Sequence, residues 1–177
     1  MRLYDTATRT IREFTPIKKG EVVMYLCGAT VQGSPHIGHI RSSMVFDVLR
    51  RYFEFNNYKV VLVRNVTDID DKIIHNAGHD DVTWWELAAR YEKEFTWAHE
   101  QLGNLTPTIE PRATGHITQM IEIIQTLIEK NHAYVAEGSA WFSVRSFKEY
   151  GSLSGQKIDE MLAAQDPDKG KKDPHDF

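Results

Sequence analysis

The residues of this chain best suited to chemistry are its single cysteine and two histidines placed close behind it. Cys27 is followed by the loop Gly28-Ala29-Thr30-Val31-Gln32-Gly33-Ser34 and then by Pro35-His36-Ile37-Gly38-His39. Imidazoles donate hydrogen bonds to anions, and two of them one helical turn apart can reach the same group. If Pro35 opens a helix, unpaired backbone N–H groups and the positive end of the helix dipole add to an anion site there. Gly38, lacking a side chain, lets a ligand come close to the backbone. A second cluster, Thr67-Asp68-Ile69-Asp70-Asp71-Lys72, supplies a hydroxyl and three carboxylates. As a helix start, Thr67 or Asp68 would cap and the acids would favour the dipole. A magnesium site is the alternative reading of the acids. A phosphate site beside a thiolate site is the chemistry these types and spacings allow, with helix capping as the structural reading of the histidines and packing that of Cys27.

Three elements must position these groups. Val22-Val23-Met24-Tyr25-Leu26 is nearly continuously apolar and ends at Cys27-Gly28, as expected of a buried parallel strand. Ser34 suits a helix N-cap with Pro35 at the first position. Ile37, Ile40, Met44, Val48, Leu49, Tyr52 and Phe53 then recur at helical spacing, and Asn56-Asn57 end the run. Val60-Val61-Leu62-Val63 is short and β-branched, a second buried strand. Strand, helix and strand make a right-handed βαβ unit, so both strand carboxyl ends lie at one edge, where ligands of open α/β sheets bind. Cys27 ends one strand and Thr67 follows the other, so the two clusters are expected to converge.

Elsewhere, residues 3–14 read as an edge strand or hairpin, with Pro16 and Gly20 marking turns. Residues 82–102 and 114–131 read as helices. In the second, Ile117, Met120, Ile121, Ile124, Leu127 and Ile128 repeat at three and four. Of Trp84-Trp85, periodicity buries one and exposes the other. Residues 133–135 and 140–144 flank Glu137-Gly138-Ser139 as a hairpin. His75, His79, His99, His116 and His132 show no zinc-like pairing and read as surface or satisfied core groups.

The 177 residues are 41% hydrophobic and 26% charged, an ordinary soluble composition with room for one sizeable core. A net charge of −4 argues against nonspecific nucleic-acid binding as the organising purpose. Residues 1–75 hold 11 Lys+Arg against 8 Asp+Glu, while the remainder hold 10 against 17, so a polyanion would prefer the first portion. No apolar run approaches the roughly 20 residues of a membrane span, and the N-terminus lacks a secretory signal's apolar core. One cysteine excludes an internal disulfide and fits a reducing cytoplasm.

Met24 through Thr30, Pro35 through Ser42 and Asn65 through Lys72 resemble the class I aminoacyl-tRNA synthetases, specifically the cysteinyl-tRNA synthetase family. Leu3-Tyr4-Asp5-Thr6 and Glu110-Pro111-Arg112-Ala113-Thr114 share the likeness, which runs through the chain in order. The resemblance implies an α/β fold, the first half of a split Rossmann-like nucleotide-binding fold plus the start of an inserted α+β subdomain. Residues 1–110 would form that half, 111–162 a helix-hairpin insertion, and 163–177 a loop or disordered tail.

It further implies activation of L-cysteine by ATP with magnesium to cysteinyl-adenylate, and transfer to tRNA(Cys), in a cytoplasmic monomer. His36 and His39 would be catalytic, and with Gly38 would bind ATP. Gly28 and Thr67 would bind the substrate cysteine, and Cys27 would ligate a zinc ion whose other ligands lie outside this chain. Zinc prefers thiolate over hydroxyl, so such a site separates cysteine from serine. The family's other zinc ligands, its Lys-Met-Ser-Lys-Ser-type loop and its anticodon-binding region have no match here, so an inactive fragment that holds little zinc is expected. A ligase joining cysteine to an amino sugar in mycothiol synthesis, and a non-catalytic nucleotide-binding paralogue, are the alternatives. The loop from Gly28 to Ser34 looks more like the synthetase.

Overall fold

The computed structural model describes residues 1–161 and 170–177. It divides into two compact units, Pro16–Ile117 on the one hand and Met1–Thr15 with Thr118–Phe177 on the other. The first strands therefore group with the later residues, whereas the sequence reading assigned all of 1–110 to one half.

The larger unit contains the expected βαβ. Strand β3 (Glu21–Leu26) pairs in parallel with β4 (Lys59–Arg64), Val22 against Val60 and Leu26 against Arg64. Helix α1 (Ile37–Phe55) connects them. The segment after Pro107 lies along the other edge of β4: Arg64 N–H donates to the Ile109 carbonyl at 3.0 Å and Val66 N–H to Pro111 at 2.8 Å. β4 is thus an inner strand, while among the described strands β3 pairs with β4. β3 departs from the buried strand expected of it, because only one of its faces is covered among the described residues. Val22 and Leu26 are buried, but Val23 and Tyr25 point to solvent at 70% and 61% exposure. The α1 stripe divides likewise: Ile40 and Phe53 are buried, while Ile37, Met44, Val48 and Tyr52 are exposed.

Helix α2 (Asp71–His79) and helix α3 (Trp84–Gln101) complete the unit. Ile73 and Ala77, one turn apart on α2, meet Leu87, Ala88 and Phe95 of α3 in a core shared with Val31, Ile40 and Val66. Trp84 packs against that core and Trp85 is exposed, as the periodicity required. Thr83 and Glu86 form a reciprocal capping box at the start of α3, the Glu86 carboxylate accepting from the Thr83 N–H at 3.0 Å and its hydroxyl at 2.6 Å.

In the other unit β1 (Arg2–Asp5) and β2 (Thr10–Glu13) form an antiparallel hairpin, as do β5 (Ala133–Ala136) and β6 (Ser139–Phe142). The β5–β6 turn places Glu137 and Gly138 at φ 52° and 80°, the left-handed pair of a tight hairpin. Helix α4 (Ile117–Glu129) contains no buried residue, and its apolar Ile117, Met120, Ile121 and Ile124 are exposed. The helical period was right; the burial it implied is not found.

Of the expected tail, residues 163–169 lie outside the described residues. Residues 170–177 are a packed loop rather than disorder. Asp176 is 2% exposed and accepts from the Tyr134 hydroxyl at 2.6 Å, the Val144 N–H at 3.1 Å and the Asp173 N–H at 3.2 Å. Three donors compensate the desolvation of that carboxylate. Among the described residues, no helix is long and apolar enough to cross a membrane.

Candidate active site

The carboxyl ends of β3 and β4 and the start of α1 border one cavity of ≈ 220 Å³. Cys27, Gly28, Gly38 and His39 line it together with Arg64, Asn65, Phe95 and His99. His36 and Thr67 are not among its lining residues, although both bond to residues that are.

The start of α1 differs from the expected one. His36, not Ser34, is the N-cap, and Pro35 precedes the helix. The His36 Nδ1 accepts from the Gly38 N–H at 3.1 Å, and the His39 Nδ1 accepts from the His36 N–H at 3.3 Å. This reciprocal box uses two of the N–H groups that an anion would otherwise receive. It also places the lone pair of each ring on Nδ1, so each neutral imidazole carries its proton on Nε2. The rings stack with centroids 3.7 Å apart. Capping does not use up the rings: Nδ1 caps the helix, while Nε2–H remains a donor. Burial and the neighbouring His36 both hold the His39 pKa below its ordinary value, which favours that neutral form. Gly38 contributes room, but to the His36 ring: a Cβ there would sit 2.9 Å from the ring's Cε1.

Gly28 is required for a different reason. Its N–H donates to the Asn65 side-chain oxygen at 2.9 Å, and a Cβ would fall 1.7 Å from the Asn65 carbonyl oxygen. The strand ends meet there without space for a methyl group. Asn65 also donates to the Thr67 hydroxyl at 3.3 Å, linking both sequence clusters through one amide. Sequence reasoning gave Asn65 no role, although its place at the end of a strand beside Arg64 was a signal. Arg64 in turn holds Glu110 at 2.7 Å.

Asp68 and Asp70 take structural roles. Asp70, rather than Thr67 or Asp68, caps α2 by accepting from the Lys72 N–H at 2.9 Å. Asp68 is 8% exposed and receives both the Thr114 N–H, at 3.0 Å, and the Thr114 hydroxyl. That clasp fastens the Glu110–Thr114 motif to the Thr67–Asp71 motif.

Cys27 is exposed, so it is not the packed thiol of the structural reading. Among the described residues no group of three or more His, Cys, Asp or Glu is arranged to hold a metal. One thiol against the usual four-ligand shell does not fit a resident zinc held by these residues themselves.

His99 is a satisfied core group, as expected, yet it also forms part of the cavity wall. Its Nδ1–H donates to the Phe95 carbonyl at 2.6 Å, leaving Nε2 to accept from the Ser43 hydroxyl at 3.0 Å. Burial, and then the charge of Arg64, hold its pKa below the ordinary value. Folding therefore favours neutral His99, and its stabilising contribution is complete above the unfolded value of about 6.5 and lost as pH falls through the folded pKa. Melting wild type and His99→Gln between pH 8 and pH 5 should show their difference narrowing below about 6.5. Parallel curves would refute this assignment. His75 and His79 are surface groups, as expected, and their Nε2 atoms hydrogen-bond at 3.1 Å.

A parallel βαβ unit with a cavity at its strand ends is the arrangement of a Rossmann-like fold. The chain belongs to the family described as tRNA synthetases class I (C) catalytic domain, whose profile matches residues 13–177. It is 53% identical, over its whole length, to a protein of Streptomyces avermitilis named cysteine–tRNA ligase, and spans 38% of that relative. Two solved structures share the fold. One is Mycobacterium tuberculosis methionyl-tRNA synthetase in complex with methionyl-adenylate, at TM-score 0.59 and 23% identity, covering 70% of this chain and 25% of that one. The other is the ternary complex of Agrobacterium radiobacter K84 agnB2 LeuRS with tRNA and LeuAMS, at TM-score 0.56 and 20% identity, covering 68% and 15%.

Proposed function

We infer that this chain is the ATP- and amino-acid-binding part of a cysteine–tRNA ligase. The observation that carries the reading is one cavity bordered by an exposed thiol, a strand-end glycine and a helix-start imidazole whose free ring nitrogen is a donor. In the proposed reaction the carboxylate of L-cysteine attacks the α-phosphate of magnesium-bound ATP, and pyrophosphate leaves. The adenylate's carbonyl then passes to a ribose hydroxyl of tRNA(Cys), releasing AMP. The Nε2–H groups of His36 and His39 donate to the phosphate oxygens as charge builds on them. Gly28 and the hydroxyl of Thr67, held by Asn65, border the amino acid. Cys27 is one thiolate ligand of a zinc ion whose remaining ligands lie outside these residues. Residues 1–110 serve the nucleotide half and 111–162 the insertion, in a cytoplasmic, monomeric enzyme. A relative named cysteine–tRNA ligase, 53% identical over the whole chain, supports the assignment.

Amino-acid-dependent ATP–pyrophosphate exchange in the longer protein that contains this chain tests the reading. Exchange should depend on cysteine, not serine, and Cys27→Ser should erode that preference. Exchange with neither amino acid would refute the assignment.

A further inference from the structure

On α2 the residues facing the core are Ile73 and Ala77, and two positions further on, about 200° around the helix, stand His75 and His79. Both histidines are exposed, and their spacing of four brings them over one another on the outer face. Their rings are close to perpendicular, with centroids 4.6 Å apart, and the Nε2–Nε2 distance is 3.1 Å. In the absence of any ion that contact is a hydrogen bond between two neutral imidazoles, one Nε2–H donating to the other's lone pair.

The same spacing matches the bite of a metal. Two nitrogens each about 2.05 Å from a tetrahedral ion lie about 3.3 Å apart, and nearer for a tighter bite angle. We propose that His75 and His79 form a bidentate surface site for a divalent transition-metal ion of the zinc, nickel or copper kind. Imidazole suits these ions, whereas magnesium and calcium prefer oxygen donors. On binding, the donor ring's proton passes through solvent from its Nε2 to its own Nδ1, so both imidazoles stay neutral and one hydrogen bond is replaced by two metal–nitrogen bonds. Among the described residues no third protein ligand joins the pair, so water fills the remaining positions. The site is separate from Cys27 and from the cavity, and stands whether or not the enzymatic reading does. Because its two ligands lie one turn apart near the end of a nine-residue helix, the bound ion also staples that last turn.

Untagged, chelator-treated protein titrated calorimetrically with nickel chloride alone should bind one equivalent through this pair. A second contact made within one molecule tightens binding by about 100-fold or more. His75→Gln and His79→Gln should therefore each weaken this equivalent by roughly that factor, while melting like wild type without metal. Saturating nickel should raise the melting temperature of wild type and leave both variants unmoved. A His36→Ala/His39→Ala variant should retain the equivalent. The proposal is overturned by wild type binding no nickel, by either single variant binding it undiminished, or by the loss falling on the His36/His39 variant instead.

Discussion

Gly28→Ala should cost about 3 kcal/mol of stability and lower the melting temperature by about 10 °C. The added methyl would lie 1.7 Å from the Asn65 carbonyl oxygen, a backbone atom of the strand-end segment and not the tip of a flexible side chain. Relief requires the ends of β3 and β4 to separate, which strains the Gly28–Asn65 hydrogen bond and disturbs the bond from Asn65 to Thr67. Gly33→Ala is the matched control, since a Cβ there meets nothing within 4 Å, and it should melt within about 0.5 kcal/mol of wild type. Thermal melts of both variants decide the matter. If Gly28→Ala melts like wild type, the strand ends are not as closely apposed as described.

Replacing His36 and His39 together with alanine, in the longer protein, should slow adenylate formation by about 100-fold or more, as loss of a donor at developing charge does. It should also cost about 1 kcal/mol of stability, because the same rings cap α1. The two effects separate by chemistry. Asparagine is a good N-cap but lacks an imidazole Nε2–H. His36→Asn should therefore keep the stability of α1 while leaving adenylation slow. Single-turnover adenylation with a parallel melt tests this. Full activity in His36→Asn would assign His36 to capping alone.

The positions of β3, α1, β4 and α3 were legible in the sequence because each carries its own local pattern. Val60, Val61 and Val63 are β-branched, Ile40 and Phe53 recur at helical spacing, and Asn56-Asn57 stop the helix, Asn57 adopting φ 64°. The convergence of Cys27 and His39 on one cavity was legible as well. Two parallel strands joined by a helix put both carboxyl ends at one edge, whatever else the chain does. α2 was less legible: nine residues with two buried positions make a weak period, and its cap competed among four neighbouring polar residues.

The tertiary structure decided what those groups do. Periodicity predicts burial for the apolar stripe of α4 and for Val23 and Tyr25, yet burial needs a partner surface, and these side chains are exposed. His36 and His39 carry the same residue types as caps or as anion donors. Their paired Nδ1 contacts show that one ring atom serves the helix while the other stays free. Asp68 and Thr114 are 46 residues apart, and His99 and Ser43 are 56 apart. No local pattern joins such pairs. By itself the sequence determined the elements, the chemical types at the strand ends and the family, because spacing along the chain encodes which face each residue occupies. Which hydrogen bonds form, which tautomer each imidazole takes and where a glycine is obligatory depend on distances across elements, and only packing sets those.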